Sequence, residues 1–279
     1  MDPARIAELL EPFLGPKDLR PNTQDLIPDI STYINLLIRW NARVNLTAIR
    51  DPEEIVTRHF GESLFAAQHL FPAPPRVGPG LRPGQAERSS AAARAPDISA
   101  LAQDRARATP DRRVTGHEEI GASAHAAAAN DQRTTTNGHP TVADLGSGAG
   151  FPGLPIKLWA PESAVTLIES NHKKAAFLRE VARALTLTDV NIQAARAETL
   201  TATAFDLVTL RAVERFAAIL PVAANLVAPG GRLALLISSA QLDQARTSLP
   251  HFSWSTPEPI PLSDSRILVV AHRPRGTAP

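Results

Sequence analysis

The chain has 279 residues, 43% of them hydrophobic, no cysteine and a formal net charge of +1. That size and apolar content suit one sizeable domain or two small ones, the missing cysteine excludes disulfides, thiolate metal ligation and cysteine nucleophiles, and the charge balance means that a nucleic-acid partner must be met by a local patch. The start, Met1-Asp2-Pro3-Ala4-Arg5, lacks the basic and apolar regions of a signal peptide, and no run reaches the roughly 20 apolar residues of a membrane span, so a cytoplasmic location is expected.

Residues 1–72 read as helical. Ile6, Leu9, Leu10 and Phe13 form a short apolar stripe that Gly15-Pro16 ends. Ile30, Tyr33, Ile34, Leu37, Ile38 and Trp40 recur at helical spacing, with Asp29 or Ser31 as N-cap and Asn41, Asn45 and Thr47 as the interruption. Asp51-Pro52-Glu53-Glu54 starts the next helix, with an Asp cap, Pro at the first position and acids in the first turn. Trp40 and Phe60 are read as core. His59 beside Arg58 is read as a packed, hydrogen-bonded residue, with approach to a substrate as the other reading.

Residues 73–140 differ in kind. They contain no Phe, Trp, Tyr or Met, and Leu only at 81 and 101. Such a segment buries too little apolar surface to offset its ordering entropy, and a loop of that length inside a domain is an insertion or a linker. It is expected to be disordered and to carry no catalytic residue.

From 141 to 279 strands and helices alternate. Val142–Leu145, Val165–Ile168, Val190–Gln193, Phe205–Leu210 and Arg232–Ile237 are expected strands. Helices are expected after the first, from Asn171 to about Leu185, and over about Arg215–Leu226. Pro229-Gly230-Gly231 is read as a turn into the fifth strand. A short helix near Leu242 and late strands near Phe252 and over Arg266–Ala271 follow, the last one antiparallel. Repeated strand–helix units imply a parallel sheet with right-handed crossovers. The fold class is therefore α/β and Rossmann-like, preceded by N-terminal helices.

The chemistry concentrates at Asp144-Leu145-Gly146-Ser147-Gly148-Ala149-Gly150-Phe151-Pro152-Gly153. A strand, a glycine-rich turn and a helix start place free backbone N–H groups where a ligand can approach. In the dinucleotide fingerprint the third glycine falls where Phe151 stands. The glycines here run G-x-G-x-G at Gly146, Gly148 and Gly150. With Asp144 before them, they resemble motif I of class I S-adenosylmethionine-dependent methyltransferases. Glu169 ends the second strand about 20 residues later, where a carboxylate accepts from both hydroxyls of a ribose. Ala197 and Glu198 follow the third strand, where such folds contact adenine; Glu198 also reads as a solvated surface acid. Phe151 either closes over the cofactor or packs under the turn. No metal site is expected.

Trp40-Asn41, Asn45-Leu46-Thr47-Ala48-Ile49-Arg50-Asp51-Pro52-Glu53-Glu54, Arg58-His59, the glycine turn, Phe177-Leu178-Arg179 and Arg211-Ala212 together resemble the RsmG family, also called glucose-inhibited division protein B. The resemblance implies methylation of N7 of a guanine in 16S ribosomal RNA, with S-adenosylmethionine as cofactor. Its cofactor positions fall on Gly146, Phe151, Ala197, Glu198 and Arg211. The chain departs from the family at Glu62, usually Asp; at Leu210, usually Ser; and at Ser238-Ser239, often Lys-Gly. Guanine N7 has a lone pair and no proton, so no general base is expected. Arg211 is the candidate catalytic residue, positioning cofactor or substrate, with a structural salt bridge as the alternative. Arg39, Arg43, Arg50, Arg58, His59, Lys173 and Lys174 are the candidate RNA contacts. The expected partner is 16S rRNA or the small ribosomal subunit, met by a monomer. The rival readings are a class I methyltransferase on another substrate and a non-catalytic RNA-binding or cofactor-sensing module.

Overall fold

The computed structural model describes residues 1–16, 23–72, 138–200, 204–211 and 215–276. The expectation of disorder over 73–140 lies outside these residues, except for 138–140. The N-terminal helices and the sheet belong to one compact unit.

Helix α1 (Pro3–Leu10) begins where the Asp2 carboxylate accepts from Ala4 N. Helix α2 runs over Thr23–Val44. It starts earlier than expected, so Asp29 and Ser31 lie inside it and do not cap it. The apolar stripe continues upstream through Leu26 and Ile27, both buried, and that burial outweighs the hydrogen bond that Pro28 cannot donate. Asn41 likewise stays within the helix, and the break comes at Asn45, which takes a φ of 52°. Asp51 caps α3 (Pro52–Glu54) as expected, accepting from Glu54 N at 2.8 Å. A π-helical stretch (Ile55–Gly61) then leads into α4 (Glu62–Leu70).

The sheet contains β1 (Thr141–Leu145), β2 (Ala164–Ile168), β3 (Val190–Gln193), β4 (Phe205–Arg211), β5 (Val227–Ser238), β6 (Ser253–Trp254), β7 (Glu258–Pro259) and β8 (Arg266–His272). The strand order is β3-β2-β1-β4-β5-β8-β6, with β7 on β8. The first five strands are parallel, and β8 runs antiparallel to β5 as expected. The residues Pro229-Gly230-Gly231 do not precede the fifth strand. Val227 already pairs with Phe205, and the register then jumps to Arg232 opposite Leu207. The glycines therefore form an irregularity inside β5, whose ends both find partners. Helices α5 (Gly153–Trp159), α6 (His172–Ala184), α7 (Phe216–Asn225) and α8 (Leu242–Ser248) connect the strands.

Alternation along β1 separates two cores. Val142 faces a cluster shared with Tyr33, Phe60, Leu154 and Phe177; Ala143 and Leu145 face one shared with Leu220 and Ala245. The chain builds outward from β1 to β3 and then crosses to β4. The carboxyl ends of β1 and β4 thus form the switch point where open α/β sheets hold ligands.

Candidate nucleotide site and its supporting network

The glycine turn lies at that switch point. Gly146 N and Ser147 N donate to the Ile168 carbonyl at 2.9 and 3.2 Å, which ties the turn to the end of β2. Gly146, Gly148 and Gly150 have φ values of 67°, 56° and 90°, a region side chains rarely tolerate. Glu169 is 7% exposed. Its Oε2 accepts from Gly148 N at 2.9 Å and its Oε1 from Asn171 N at 2.7 Å. One carboxylate thereby joins the turn to the start of α6, where Asn171 caps the helix. A cleft of about 470 Å³ opens here, lined by Gly146, Glu169, Lys174, Ala197, Glu198 and the first turn of α7 at Arg215 and Ala218.

Other residues of the motif lie behind the turn. Asp144 is 1% exposed. It accepts from Thr209 Oγ1 at 2.7 Å and from Gly153 N at 3.2 Å. Burial raises its pKa to about 6. Asp144 is a brace between β1, β4 and α5, and it does not line the cleft. Phe151, 6% exposed, stacks on Tyr33 at 5.3 Å and on His59 at 4.8 Å between ring centres. The Phe151 ring packs against side chains of α2 and of the π-helical stretch. Tyr33 belongs to the apolar stripe of α2 and also has a polar role. Its buried hydroxyl donates to the Ala149 carbonyl, as a buried phenol requires a partner, and it presses on Gly150. A Cβ at Gly150 would have to be accommodated by Tyr33 and Leu154, at a φ that alone strains an L-residue. Gly150→Ala is expected to cost about 3–5 kcal/mol of stability, read from urea unfolding. A change below about 1 kcal/mol would show that α2 does not hold the turn.

His59 and Arg211 meet in a buried network. Arg211 donates to His59 Nδ1 at 3.2 and 3.3 Å. Arginine has only donors, so Nδ1 is unprotonated and Nε2 carries the hydrogen, donated to Thr47 Oγ1 at 2.8 Å. Thr47 is fixed by Asn41, which takes its N–H and reaches its carbonyl at 3.0 and 2.9 Å. His59 is 9% exposed and hydrogen-bonded through both ring nitrogens. Burial first, and then Arg211, Arg58 and Arg266, push its pKa down to about 3. The folded protein thus binds fewer protons here than the unfolded chain below about pH 6.5. The stability from a neutral His59 is full above that value and drains as the pH falls toward 3. Asp144 acts in the opposite sense, being more protonated when folded, and loses stability as the pH rises from 4 to 6. His59→Gln, which retains an acceptor for Arg211 and a donor for Thr47, is expected to flatten the loss of stability on acidification. Urea unfolding of both proteins across this range checks it; parallel curves would contradict it.

Arg211 is 7% exposed and bonds Glu62 at 2.9 Å and the Arg58 carbonyl at 2.5 Å. It joins the end of β4 to the π-helical stretch and does not line the cleft beside the glycine turn. Glu62, 1% exposed, also pairs with Arg58 at 3.1 Å and Arg266 at 3.0 Å. Neither Glu62 as a hub nor Arg266 was expected. Their pairing depends on β8 lying beside β5, which no local pattern announces. The other candidate RNA contacts have separate surroundings. Arg39 pairs with Glu180 of α6 at 2.5 Å, and Arg43 lines a shallow surface hollow with it. Arg50 donates to Asn45 Oδ1 at 3.2 Å and the Asn41 carbonyl at 3.3 Å. Lys173 is exposed at the start of α6, and Lys174 lines the nucleotide cleft. Among the described residues no cluster of three His, Cys, Asp or Glu could hold a metal, and no helix is long and apolar enough to cross a membrane.

A parallel sheet reversed between β1 and β4, a glycine turn at that reversal and an acid closing β2 define a Rossmann-like methyltransferase domain. The chain matches the family described as rRNA small subunit methyltransferase G over residues 26–76 and 125–259. It belongs to that family. It is 32% identical over 255 residues to the ribosomal RNA small subunit methyltransferase G of Xanthomonas campestris pv. campestris strain 8004, covering 89% of this chain and 88% of that protein. The protein of the same name from Stenotrophomonas maltophilia strain K279a is 32% identical over 262 residues, 94% of this chain and 90% of its own. The crystal structure of a predicted O-methyltransferase from Agrobacterium tumefaciens is 22% identical, with a TM-score of 0.42 over 52% of this chain and 76% of that one.

Proposed function

We propose that the protein transfers a methyl group from S-adenosylmethionine to N7 of a guanine in 16S ribosomal RNA, as a cytoplasmic monomer. Family membership supports the reaction class and the rRNA substrate. The observation that carries the cofactor reading is Glu169 at the edge of the cleft beside the glycine turn. Two of the roughly four lone-pair sites of its carboxylate are taken by Gly148 N and Asn171 N, which leaves acceptors for a ribose diol. The turn fits as well: a Cβ at Gly148 would meet only the Gly146 carbonyl, at 3.7 Å, so that face is open to a ligand. Ala197 and Glu198 then bound the base, and Gly146 admits the amino-acid end.

The bound cofactor supplies an activated sulfonium methyl. Guanine N7 offers a lone pair, so the residues of this chain have no proton to remove. Their task is alignment and exclusion of water. His59, neutral and stacked on Phe151, holds no proton-transfer role. Arg211 acts as a positioning residue: it locks the end of β4 to His59 and Glu62 and so sets the wall beside the switch point. Incubation with methyl-labelled S-adenosylmethionine and separated ribosomal fractions tests the reading. Label is expected in 16S rRNA of the small subunit. Label confined to protein or to small molecules would overturn it.

A further inference from the structure

Glu62 is surrounded by more positive charge than it can balance. It is 1% exposed and receives Arg58, Arg211 and Arg266 at 3.1, 2.9 and 3.0 Å. Three guanidinium groups thus share one buried carboxylate at the carboxyl ends of β4 and β5. The nearby acids Glu54, 3.8 Å from Arg58, and Asp264 are both exposed at the rim, where solvent screens them. Arg211 Nε and Arg266 Nε are buried and have no hydrogen-bond partner, and most buried N–H groups have one.

Arg58 and Arg266 line a cleft of about 410 Å³. Its other polar walls include Ser238, Gln241 and Ser263, and its floor includes Leu210 and Phe216. Excess guanidinium charge and neighbouring hydroxyls are the chemistry that receives phosphate oxygens. The first turn of α7 divides this cleft from the nucleotide cleft, since Phe216 lines one and Arg215 the other. We propose that this second cleft seats a backbone phosphate of the RNA substrate, with Arg266 and Arg58 as its donors. The proposal rests on the RNA-methyltransferase reading and adds to it a place where the substrate strand is gripped. A phosphate contact positions the strand without reading its sequence.

The test has two arms. In the first, Arg266→Gln and Arg266→Lys are assayed on small ribosomal subunits, after circular dichroism and S-adenosylmethionine binding confirm folding. For Arg266→Gln the KM for the subunit is expected to rise about tenfold with kcat little changed, and the salt dependence of binding to lose about one unit of slope. Arg266→Lys keeps the slope. A folded Gln variant with unchanged KM and slope overturns the proposal, as does a loss confined to kcat. In the second, the arginine Nε–H signals of the wild-type protein are followed by NMR during titration with inorganic phosphate and, separately, a short guanine-containing RNA. Both are expected to shift the Arg266 signal, identified by its loss in Arg266→Lys. Shifts with inorganic phosphate alone mean a free-anion site and overturn the RNA assignment; no shift with either overturns the site. Because this arm needs no turnover, it still decides the matter if the enzyme proves to act on another substrate.

Discussion

Glu169→Ala is expected to weaken S-adenosylmethionine binding by about 100-fold. Two hydrogen bonds from a ribose diol to a carboxylate, at the low end of about 1.5 kcal/mol each for bonds to a charged group, together correspond to about a hundredfold change in affinity. The same carboxylate holds Gly148 N and Asn171 N, so the variant also loosens the turn it would use for binding. Glu169→Gln separates the two effects. Its amide keeps the size and one acceptor but points an N–H₂ toward a backbone N–H or the ligand. Its affinity is expected to fall between the wild type and Glu169→Ala, with less loss of melting temperature. Isothermal titration with the cofactor and a thermal melt read both. Wild-type affinity in a folded Glu169→Ala protein would remove the basis for the cofactor site.

Glu62→Ala is expected to destabilise the fold by about 3–5 kcal/mol, the usual loss on breaking a buried ion pair from one side. Three arginines lose their shared carboxylate. Arg211, 7% exposed, has little solvent to replace it. The network links the π-helical stretch, β4 and β8, so the loss spreads to the docking of the N-terminal helices on the sheet. Glu62→Asp, the residue usual in the family resembled, keeps the charge and is expected to lose less than half as much. Urea denaturation gives both values. Equal stability of wild type and Glu62→Ala would show that the cluster is not held by its acid. The same geometry bears on Arg211→Ala: that variant strands Glu62 from one partner and frees His59 Nδ1, so its activity is interpretable only beside its stability.

The features readable in the sequence were those written into short stretches. The glycine turn, the Asn171 cap, the Asp51-Pro52 start and the alternating strands each depend on neighbours a few residues apart, where dihedral preference and periodicity act. Glu169 was placed by its spacing from the turn, and it lines the cleft. Spacing did not say which side of the turn a motif residue serves. Asp144 lies on β1 two residues from Val142, and strand alternation sends both to the face covered by the N-terminal helices. Phe151 follows the same logic, since its partners Tyr33 and His59 come from that covering layer. The arginine cluster was the least readable feature. Glu62 and Arg211 are 149 residues apart, and Arg266 reaches them only because β8 pairs antiparallel with β5, setting Arg266 opposite Ser238. Long-range pairing of that kind is decided by the sheet as a whole. Helix α2 starts upstream of the Asp29 or Ser31 cap for a related reason: the burial of Leu26 and Ile27 against the rest of the protein carries the helix through Pro28.

Methyl transfer to guanine N7 of small-subunit rRNA, proposed for the cleft beside the glycine turn, is open to direct measurement. The direct measurement is nucleoside mass analysis of 16S rRNA from small subunits that lack the modification, before and after incubation with the purified protein and S-adenosylmethionine. New 7-methylguanosine is expected with the wild-type protein and sharply less with Glu169→Ala. An rRNA whose nucleosides are unchanged by a folded, cofactor-binding wild-type protein would contradict it.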